Sequence, residues 1–342
     1  MTTAKTNRQH VFAARPQGAV GADTFGLRTT PVPAVEPGTI LCRNLWISVD
    51  PYLRLKMHDR ESYTPPLQIG EPIPGRSVAQ VVESGDPAFG PGDLVAIQGG
   101  WQDYALVRAQ HAEAVDPALA APESWLGALG MTGFTAYAGL LGIGQPKAGE
   151  TVVVSAAGGA VGSLVGQIAR AQGCRAVGIA GGAPKCASVV QDFGFDACVD
   201  YRADDYAAQL ARACPDGVDV YFENVGGPVA AAVTPLFNMF GRIAVCGLIA
   251  QYDGQQGGDP GALDEFMRWV LVRRLSVRGF IVYDLYKDHP EFTETMAGWL
   301  RTGQVVERFN RHDGFDQIVP AFTGMLGGRN IGKSIVRIAD PA

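Results

Sequence analysis

Ala157, Gly159 and Gly162 fall at the spacing of a G-x-G-x-x-G turn, with alanine in the first place. Small residues have a chemical use at such a turn. A side chain at Gly159 would block backbone approach to a pyrophosphate, and one at Gly162 would hold a helix off its strand. Lys185 is the second candidate. A site for NAD usually places an Asp or Glu at the end of the second strand, about 20 residues past the turn, to hold the ribose hydroxyls. Here that place reads Ala180, Gly181, Gly182, Ala183, with no acid before Asp192. Lys185 follows, a cation suited to a 2′-phosphate, although a solvated lysine at a helix start is also common. The missing acid is the stronger half of the argument, and the expected cofactor is NADPH rather than NADH. Metal chemistry lacks its pattern. His10, His58 and His111 have no partner at ligand spacing and Cys42 stands alone, so no zinc constellation, catalytic or structural, is expected. Tyr52 and Arg54 either line a cleft or are a packing tyrosine and a surface arginine, and that stretch alone does not choose.

The elements around the turn are those it needs. Residues 151–155 (TVVVS) are a β-branched run suited to a strand buried on both faces. Val161, Leu164, Val165 and Ile168 recur at i, i+3, i+4 and i+7, the period of a helix with one buried stripe. Phosphates would sit at that helix N-terminus, where N–H groups and the dipole favour an anion. The uncharged run 151–169 is long enough to raise a membrane span, but Gly158 and Gly159 split it and it is rich in Gly and Ala. The same grammar then continues. Strands are expected at 175–179, 198–201, 218–223, 242–247 and 276–283, and helices at 184–193, 204–213, 228–240 and 263–273. A glycine-rich loop, expected to be mobile, occupies 254–261. Six strands alternating with helices are the α/β doubly wound pattern of a parallel sheet.

Residues 1–123 read differently. Short β-prone runs at 40–49, 77–83, 93–97 and 104–107 are separated by Pro/Gly signals, as in a compact barrel or partly open β-domain. After 303, a strand at 305–309, a helical stretch at 315–326 and a final strand at 333–338 are expected. Asn330 lies in a turn, where asparagine tolerates left-handed geometry. With 342 residues, two domains of about 150 each are the natural division. The 28 basic and 34 acidic residues give −6, spread without blocks, so no nucleic-acid or anionic membrane partner is expected. The opening MTTAKTNRQH is polar and no apolar segment follows it, so no secretory leader is expected. The six cysteines are scattered with no C-x-x-C pair, which reads as reduced thiols in a cytoplasmic protein.

Taken together, several segments resemble the zinc-independent branch of the medium-chain dehydrogenase/reductase superfamily, in the group of prostaglandin reductases, leukotriene 12-hydroxydehydrogenases and NADPH-dependent alkenal/one or curcumin-type reductases. They are VDPYLR from Val49, GMTGFTAY from Gly130, AAGGAVGS from Ala156, YFENVGG from Tyr221, GRIAVCG from Gly241, FIVY from Phe280 and NIGK from Asn330. The resemblance implies a GroES-like β-rich catalytic domain, 1–123 with 303–342, and a Rossmann cofactor domain, 124–302, in a homodimer joined through cofactor-domain sheets. It implies that Gly159, Ala160, Val161 and Gly162 meet the pyrophosphate and that Lys185 and Tyr201 meet the 2′-phosphate. Asn224, Cys246, Gly247 and Tyr252 would follow the ribose and nicotinamide, Phe280, Ile281 and Val282 would flank the nicotinamide, and Asn330 would reach the cofactor from the tail. Tyr283 matches the family's active-site tyrosine, although by spacing alone it reads as a strand-end residue. The loop 253–261 departs from the family's proline-rich version, and 23–28 and 59–68 are individual.

The reaction so implied is reduction of a carbon–carbon double bond conjugated to a ketone or aldehyde, with hydride delivered to the β-carbon and the enolate oxygen met by hydrogen-bond donors. Tyr283 is the first candidate donor and Tyr52 the second. The competing readings are an NADPH:quinone reductase, a non-catalytic NADPH-binding protein and a zinc alcohol dehydrogenase, the last lacking ligands.

Overall fold

The computed structural model describes residues 5–253 and 261–341, with backbone course alone at 286–290. The loop expected at 254–261 therefore lies, but for Gly261, outside the described residues. The chain divides into two compact units, one running to Leu126 and resuming at Phe309, the other Gly127–Arg308.

The first unit is β-rich. β1 (Thr6–Phe12) and β2 (Phe25–Pro31) pair antiparallel, a feature the sequence patterns do not announce. The buried positions early in β1 are the polar Asn7 and Gln9, which hydrogen-bond to Gln102 and, from Asn7, to the Tyr104 carbonyl. Alternation of hydrophobicity is therefore absent where alternation of burial is present. β3 (Thr39–Ser48), β4 (Ser77–Ser84), β5 (Leu94–Ile97), β6 (Tyr104–Arg108) and β7 (Glu113–Ala114) follow. β3 pairs with both β4 and β6, and its register against β4 slips twice, between Leu41 and Cys42 and between Asn44 and Trp46. Such bulges bend a strand. Ile40 and Cys42 of β3 meet Ala79, Val81, Val95, Ile97 and Ala105 in one core. The Asp50-Pro51 break leads into the short helix α1 (Tyr52–Lys56).

The second unit opens with α2 (Met131–Tyr137) and a π-helical turn, Ala138–Gly144. Then come β8 (Thr151–Ser155), α3 (Gly162–Ala171), β9 (Arg175–Ala180), α4 (Ala183–Gln191), β10 (Ala197–Asp200) and α5 (Tyr206–Ala213). They continue with β11 (Val218–Glu223), α6 (Gly227–Val233), β12 (Phe237–Val245), α7 (Ala262–Arg273), β13 (Ser276–Gly279) and α8 (His289–Thr302). The sheet order is β10-β9-β8-β11-β12-β13 and every pairing is parallel. This is the doubly wound α/β architecture. Its strand order reverses between β8 and β11, where such sheets open a crevice at their carboxyl ends.

Three expectations in this unit need correction. The helix expected over 228–240 ends at Val233, because Pro235 restricts the residue before it and cannot donate to a helix, and Phe237 already begins β12. The sixth strand stops at Gly279. Its neighbour β12 offers pairing only as far as Val245, so the backbone leaves the sheet and Val282–Asp288 forms a 3-10 helix. The helix expected from 204 starts at Tyr206, leaving Asp204 and Asp205 ahead of its first turn.

The tail returns to the first unit. β14 (Phe309–Asp313), α9 (Ile318–Leu326) and β15 (Lys333–Arg337) lie there, and the strand expected at 305–309 is displaced to β14. Pro320 is tolerated because it falls in the first turn of α9, where its missing N–H has no partner to lose. β15 pairs with β14 and with β3, completing a seven-stranded sheet. Ile318, Ala321 and Phe322 of α9 pack on Phe12, Ile47, Leu53 and Trp101. Among the described residues no helix is long and apolar enough to cross a membrane. All six cysteines are free thiols.

Candidate functional site: the carboxyl ends of the parallel strands

The glycine turn runs from the end of β8 into α3. Ala156 takes a left-handed conformation (φ +51°), and its carbonyl accepts the Gly159 N–H at 2.9 Å. A Cβ on Gly162 would lie 2.4 Å from that carbonyl oxygen, so helix and turn close only on glycine. Val161 at the N-cap of α3 supplies no side-chain cap. The Ser163 and Leu164 N–H groups bond back to the Gly159 and Val161 carbonyls at 3.0 and 3.1 Å, and the dipole of α3 favours negative charge at its start. A Cβ on Gly158 would lie 2.6 Å from Lys185 Cγ, so the lysine stem lies directly against the turn.

At the end of β9 and β10 the side chains suit a phosphate. Lys185 is half-buried, and its ammonium is held below the usual lysine range by burial first and by the Arg202 guanidinium second. Two cations thus lie close enough to oppose one another. Arg202 lies 5.8 Å over the exposed Tyr201 ring, and Gly181 has no side chain because a Cβ would sit 2.9 Å from that ring. Asp200, two residues before Arg202, accepts the backbone N–H groups of Gly182 (2.8 Å) and Arg202 (2.9 Å) through one oxygen, which pulls its carboxyl below the ordinary range. Arg202 is missing from the sequence reading, although it directly follows Tyr201.

A hydrogen-bonded frame closes the switch point. Ser155, last in β8, donates from Oγ to Glu223 Oε1 at 2.9 Å, and Glu223 ends β11. Asn224 donates its N–H to Ser155 Oγ and its side-chain Nδ2 to the Ser155 carbonyl, both at 2.8 Å. Val225 N–H donates to Glu223 Oε1 at 2.6 Å, and the N–H groups of Cys246 and Gly247 reach the Glu223 carbonyl at 2.9 and 3.1 Å. The frame fixes Asn224, Cys246 and Gly247 relative to one another. A Cβ on Gly247 would approach the Tyr252 hydroxyl to 3.3 Å. Burial and the Glu223 carboxylate push the Cys246 thiol up to about 12, and burial followed by Cys246 pushes the Tyr252 phenol up to about 12. Ser155 and Glu223 were not candidates by sequence, although both are strand-end residues at the switch point.

Phe280, Ile281, Val282 and Tyr283 leave the sheet together after β13. Phe280 packs edge-on to Phe222 at 6.1 Å. A Cβ on Gly139 would meet Phe280 Cζ at 2.4 Å, so the π-helical turn makes room for this ring. Tyr283 is 48% exposed, and its hydroxyl donates to the Met131 sulfur at 3.6 Å, a weak acceptor.

In the first unit, Tyr52 packs as a half-buried side chain on the core that contains Leu53 and Phe322. Arg54 is fully buried rather than on the surface; its Nη2 donates to the Gly18 carbonyl at 2.7 Å and its Nη1 lies 3.1 Å from His58 Nε2. Asn330 donates to the Gly332 carbonyl at 2.9 Å. Three residues on, the buried Lys333 ammonium bonds Asp50 Oδ1 at 2.9 Å and the Val49 carbonyl at 3.2 Å.

The chain is 44% identical to the NADPH-dependent curcumin reductase of Escherichia coli strain K12, over 97% of each chain. It belongs to the enone-reductase group of the medium-chain dehydrogenase/reductase superfamily. Two family models of this superfamily match in tandem, the N-terminal domain of oxidoreductase at residues 8–115 and the zinc-binding dehydrogenase at 160–300. The chain is 41% identical to the NADP(+)-dependent 2-alkenal reductase of Nicotiana tabacum, over 88% of this chain and 87% of that one. The crystal structure of CurA from Vibrio vulnificus in complex with NADPH matches at a TM-score of 0.93 and 44% identity, covering 98% of this chain and 100% of that one. As to the zinc in the second family's description, no group of three or more His, Cys, Asp or Glu is placed to hold a metal ion among the described residues.

Proposed function

We propose that this protein is an NADPH-dependent reductase of carbon–carbon double bonds conjugated to a ketone or aldehyde. The observation that carries the reading is the likeness, over 97% of both chains, to a curcumin reductase that is NADPH-dependent. The cation pair Lys185 and Arg202, with Asp200 turned onto backbone N–H groups, supports the phosphorylated nucleotide.

When bound, NADPH supplies the hydride that adds to the β-carbon. The chain's own residues do the rest. The Gly159-Ala160-Val161-Gly162 turn and the start of α3 receive the pyrophosphate. Lys185, Tyr201 and Arg202 hold the 2′-phosphate with charge-assisted hydrogen bonds. The Ser155–Glu223–Asn224 frame orients the ribose and nicotinamide side together with Cys246, Gly247 and Tyr252, and Phe280, Ile281 and Val282 form its wall. The Tyr283 hydroxyl exchanges its thioether contact for the substrate carbonyl oxygen and steadies the charge that develops there. Tyr52 is a second donor, and Asn330 reaches the cofactor from the tail. The α-carbon takes its proton from Tyr283 or from water.

The test is product analysis with NADPH deuterated at the transferable position and a panel of enones, enals and quinones. A saturated carbonyl compound labelled at the β-carbon is expected. An allylic alcohol or a hydroquinone as the main product, or NADPH bound but never oxidised, would overturn the reading.

The working state is a cytoplasmic homodimer joined at the β13 edge. Every residue of β13 is exposed, and α7 has no buried residue although Leu263, Met267 and Leu271 recur along it at four-residue intervals. Exposed apolar surface of this kind marks an association site. A monomeric mass at micromolar concentration would refute it.

A further inference from the structure

Met131 opens α2, and the start of that helix is firmly seated. The Met131 carbonyl accepts the Thr135 hydroxyl at 2.7 Å, and the Thr132 hydroxyl donates to the Gly127 carbonyl at 3.0 Å. A Cβ on Gly133 would lie 1.7 Å from the Ala128 carbonyl oxygen, so the helix sits tight on the chain ahead of it. Farther along, Phe134 packs on Phe292 of α8 with ring centroids 5.3 Å apart. The segment Phe280–Tyr283 follows the same helix. Phe280 takes the space left by Gly139, in the π-helical turn that continues α2, and the 3-10 helix Val282–Asp288 packs on α2 itself. There the Tyr283 hydroxyl meets the Met131 sulfur at 3.6 Å. Met131 is half-buried and Tyr283 is exposed, so solvent reaches both.

We propose that Met131 is an oxidation site: a hydroperoxide converts its thioether to the sulfoxide, and the sulfoxide oxygen holds the Tyr283 hydroxyl away from substrate. The second half rests on the reading of Tyr283 given above.

A thioether is a weak acceptor, so the present bond yields to a carbonyl oxygen on which charge develops. Oxidation changes that ranking. The sulfur lone pair attacks one peroxide oxygen, the S–O bond forms and the O–O bond breaks. The departing hydroxide takes the proton of the transferred oxygen and leaves as water. The sulfur is oxidised by two electrons, and the peroxide is reduced to water. The product side chain is polar, and its oxygen accepts more strongly than the sulfur did. Because the start of α2 is seated, that oxygen stays within reach of Tyr283. The hydroxyl must then give up a full hydrogen bond before it meets substrate.

The other methionines supply the contrast. Met57 and Met296 are buried. Met239 of β12 and Met267 of α7 are exposed, and the Met239 sulfur accepts from Arg274 rather than from a site residue.

The experiment oxidises the intact protein with hydrogen peroxide, restores the thiols with dithiothreitol, maps methionine sulfoxide by peptide mass and measures kcat on an enone with NADPH. The expected result is one added oxygen on the Met131 peptide and a fall in kcat of about 5-fold, the scale of one ordinary hydrogen bond. Methionine sulfoxide reductases should restore both the mass and the rate. In Met131→Leu, Met239 and Met267 still oxidise, but kcat keeps its untreated value. In Tyr283→Phe, Met131 oxidises and no further loss follows. A wild-type Met131 peptide that gains no oxygen while those of Met239 and Met267 do would overturn the oxidation site; this readout does not depend on any variant folding. Oxidised Met131 with kcat unchanged, or an equal fractional loss in Met131→Leu or Tyr283→Phe, would overturn the hold on the hydroxyl. An unchanged kcat in untreated Tyr283→Phe would overturn the reading of Tyr283 and the hold with it, and the peptide map would still decide the oxidation site.

Discussion

Two buried carboxylates, one in each unit, stand immediately before proposed site residues and are held in opposite ways. Asp50, two residues ahead of Tyr52, faces a cation: Lys333 bonds one oxygen at 2.9 Å and the Ser48 hydroxyl donates to the other. Glu223, directly ahead of Asn224, has no Lys, Arg or His on it among the described residues. It is held by the Ser155 hydroxyl and the Val225 N–H. A buried ion pair fastens distant segments, and here it joins the turn before α1 to β15, 283 residues on. A carboxylate held by neutral donors instead fixes the directions of those donors, here the residues around Asn224. The first arrangement therefore bears chiefly on stability, the second chiefly on orientation.

The comparison breaks most visibly at Lys333. Lys333→Met leaves Asp50 buried without its cation, and a loss of about 3–5 kcal/mol of stability is expected, read as an early urea transition. A loss under about 1 kcal/mol, the range of an exposed pair, would mean that the pair fastens nothing. Next comes Tyr283→Phe, which keeps the ring and removes the donor. The expected result is a fall in kcat of about 100-fold, the scale of one oxyanion donor, with KM for the enone little changed. An unchanged kcat would remove Tyr283 from the mechanism. Ser155→Ala ranks third. It strips a donor from Glu223 and an acceptor from the Asn224 N–H, a loss of about 2 kcal/mol for a buried group left unsatisfied. If Glu223 orients rather than fastens, part of that loss appears as a raised KM for NADPH. A change in stability alone would make the two carboxylates alike.

How far the sequence discloses these arrangements follows from their range. The glycine turn is legible because every constraint on it is local: Gly162 meets Ala156, six residues away. The alternation of strands and helices is legible for the same reason. The Ser155–Glu223 bond joins residues 68 apart, and only the order of β8 beside β11 makes them neighbours. The polar interior of β1 conceals a strand, because Asn7 and Gln9 find partners more than ninety residues away. Phe280–Tyr283 read as strand because their side chains are β-prone. Their true course depends on where β12 stops offering partners, and no property of those four residues encodes that.

The smallest effect belongs to the ends of β9 and β10, where the half-buried Lys185 and the exposed Arg202 oppose one another. Removing one cation there, in Lys185→Ala, should weaken NADPH about 10-fold, the scale of one charge-assisted bond, and leave NADH unchanged. The pH dependence sharpens this. In the free protein burial and Arg202 lower the Lys185 pKa, so its ammonium is lost earlier on the alkaline side than that of an ordinary lysine. A bound phosphate favours the ammonium and raises that pKa again. Affinity for NADPH is therefore full below the lowered value and falls as pH rises through it, by at most about tenfold per pH unit for one proton. NADH, with no 2′-phosphate, should show no such limb. Arg202→Ala removes the like charge and returns Lys185 toward its usual range, so the limb should move to higher pH even as the affinity at neutral pH drops. A limb that stays in place in Arg202→Ala, or that appears equally with NADH, would show that these two cations do not act on one phosphate.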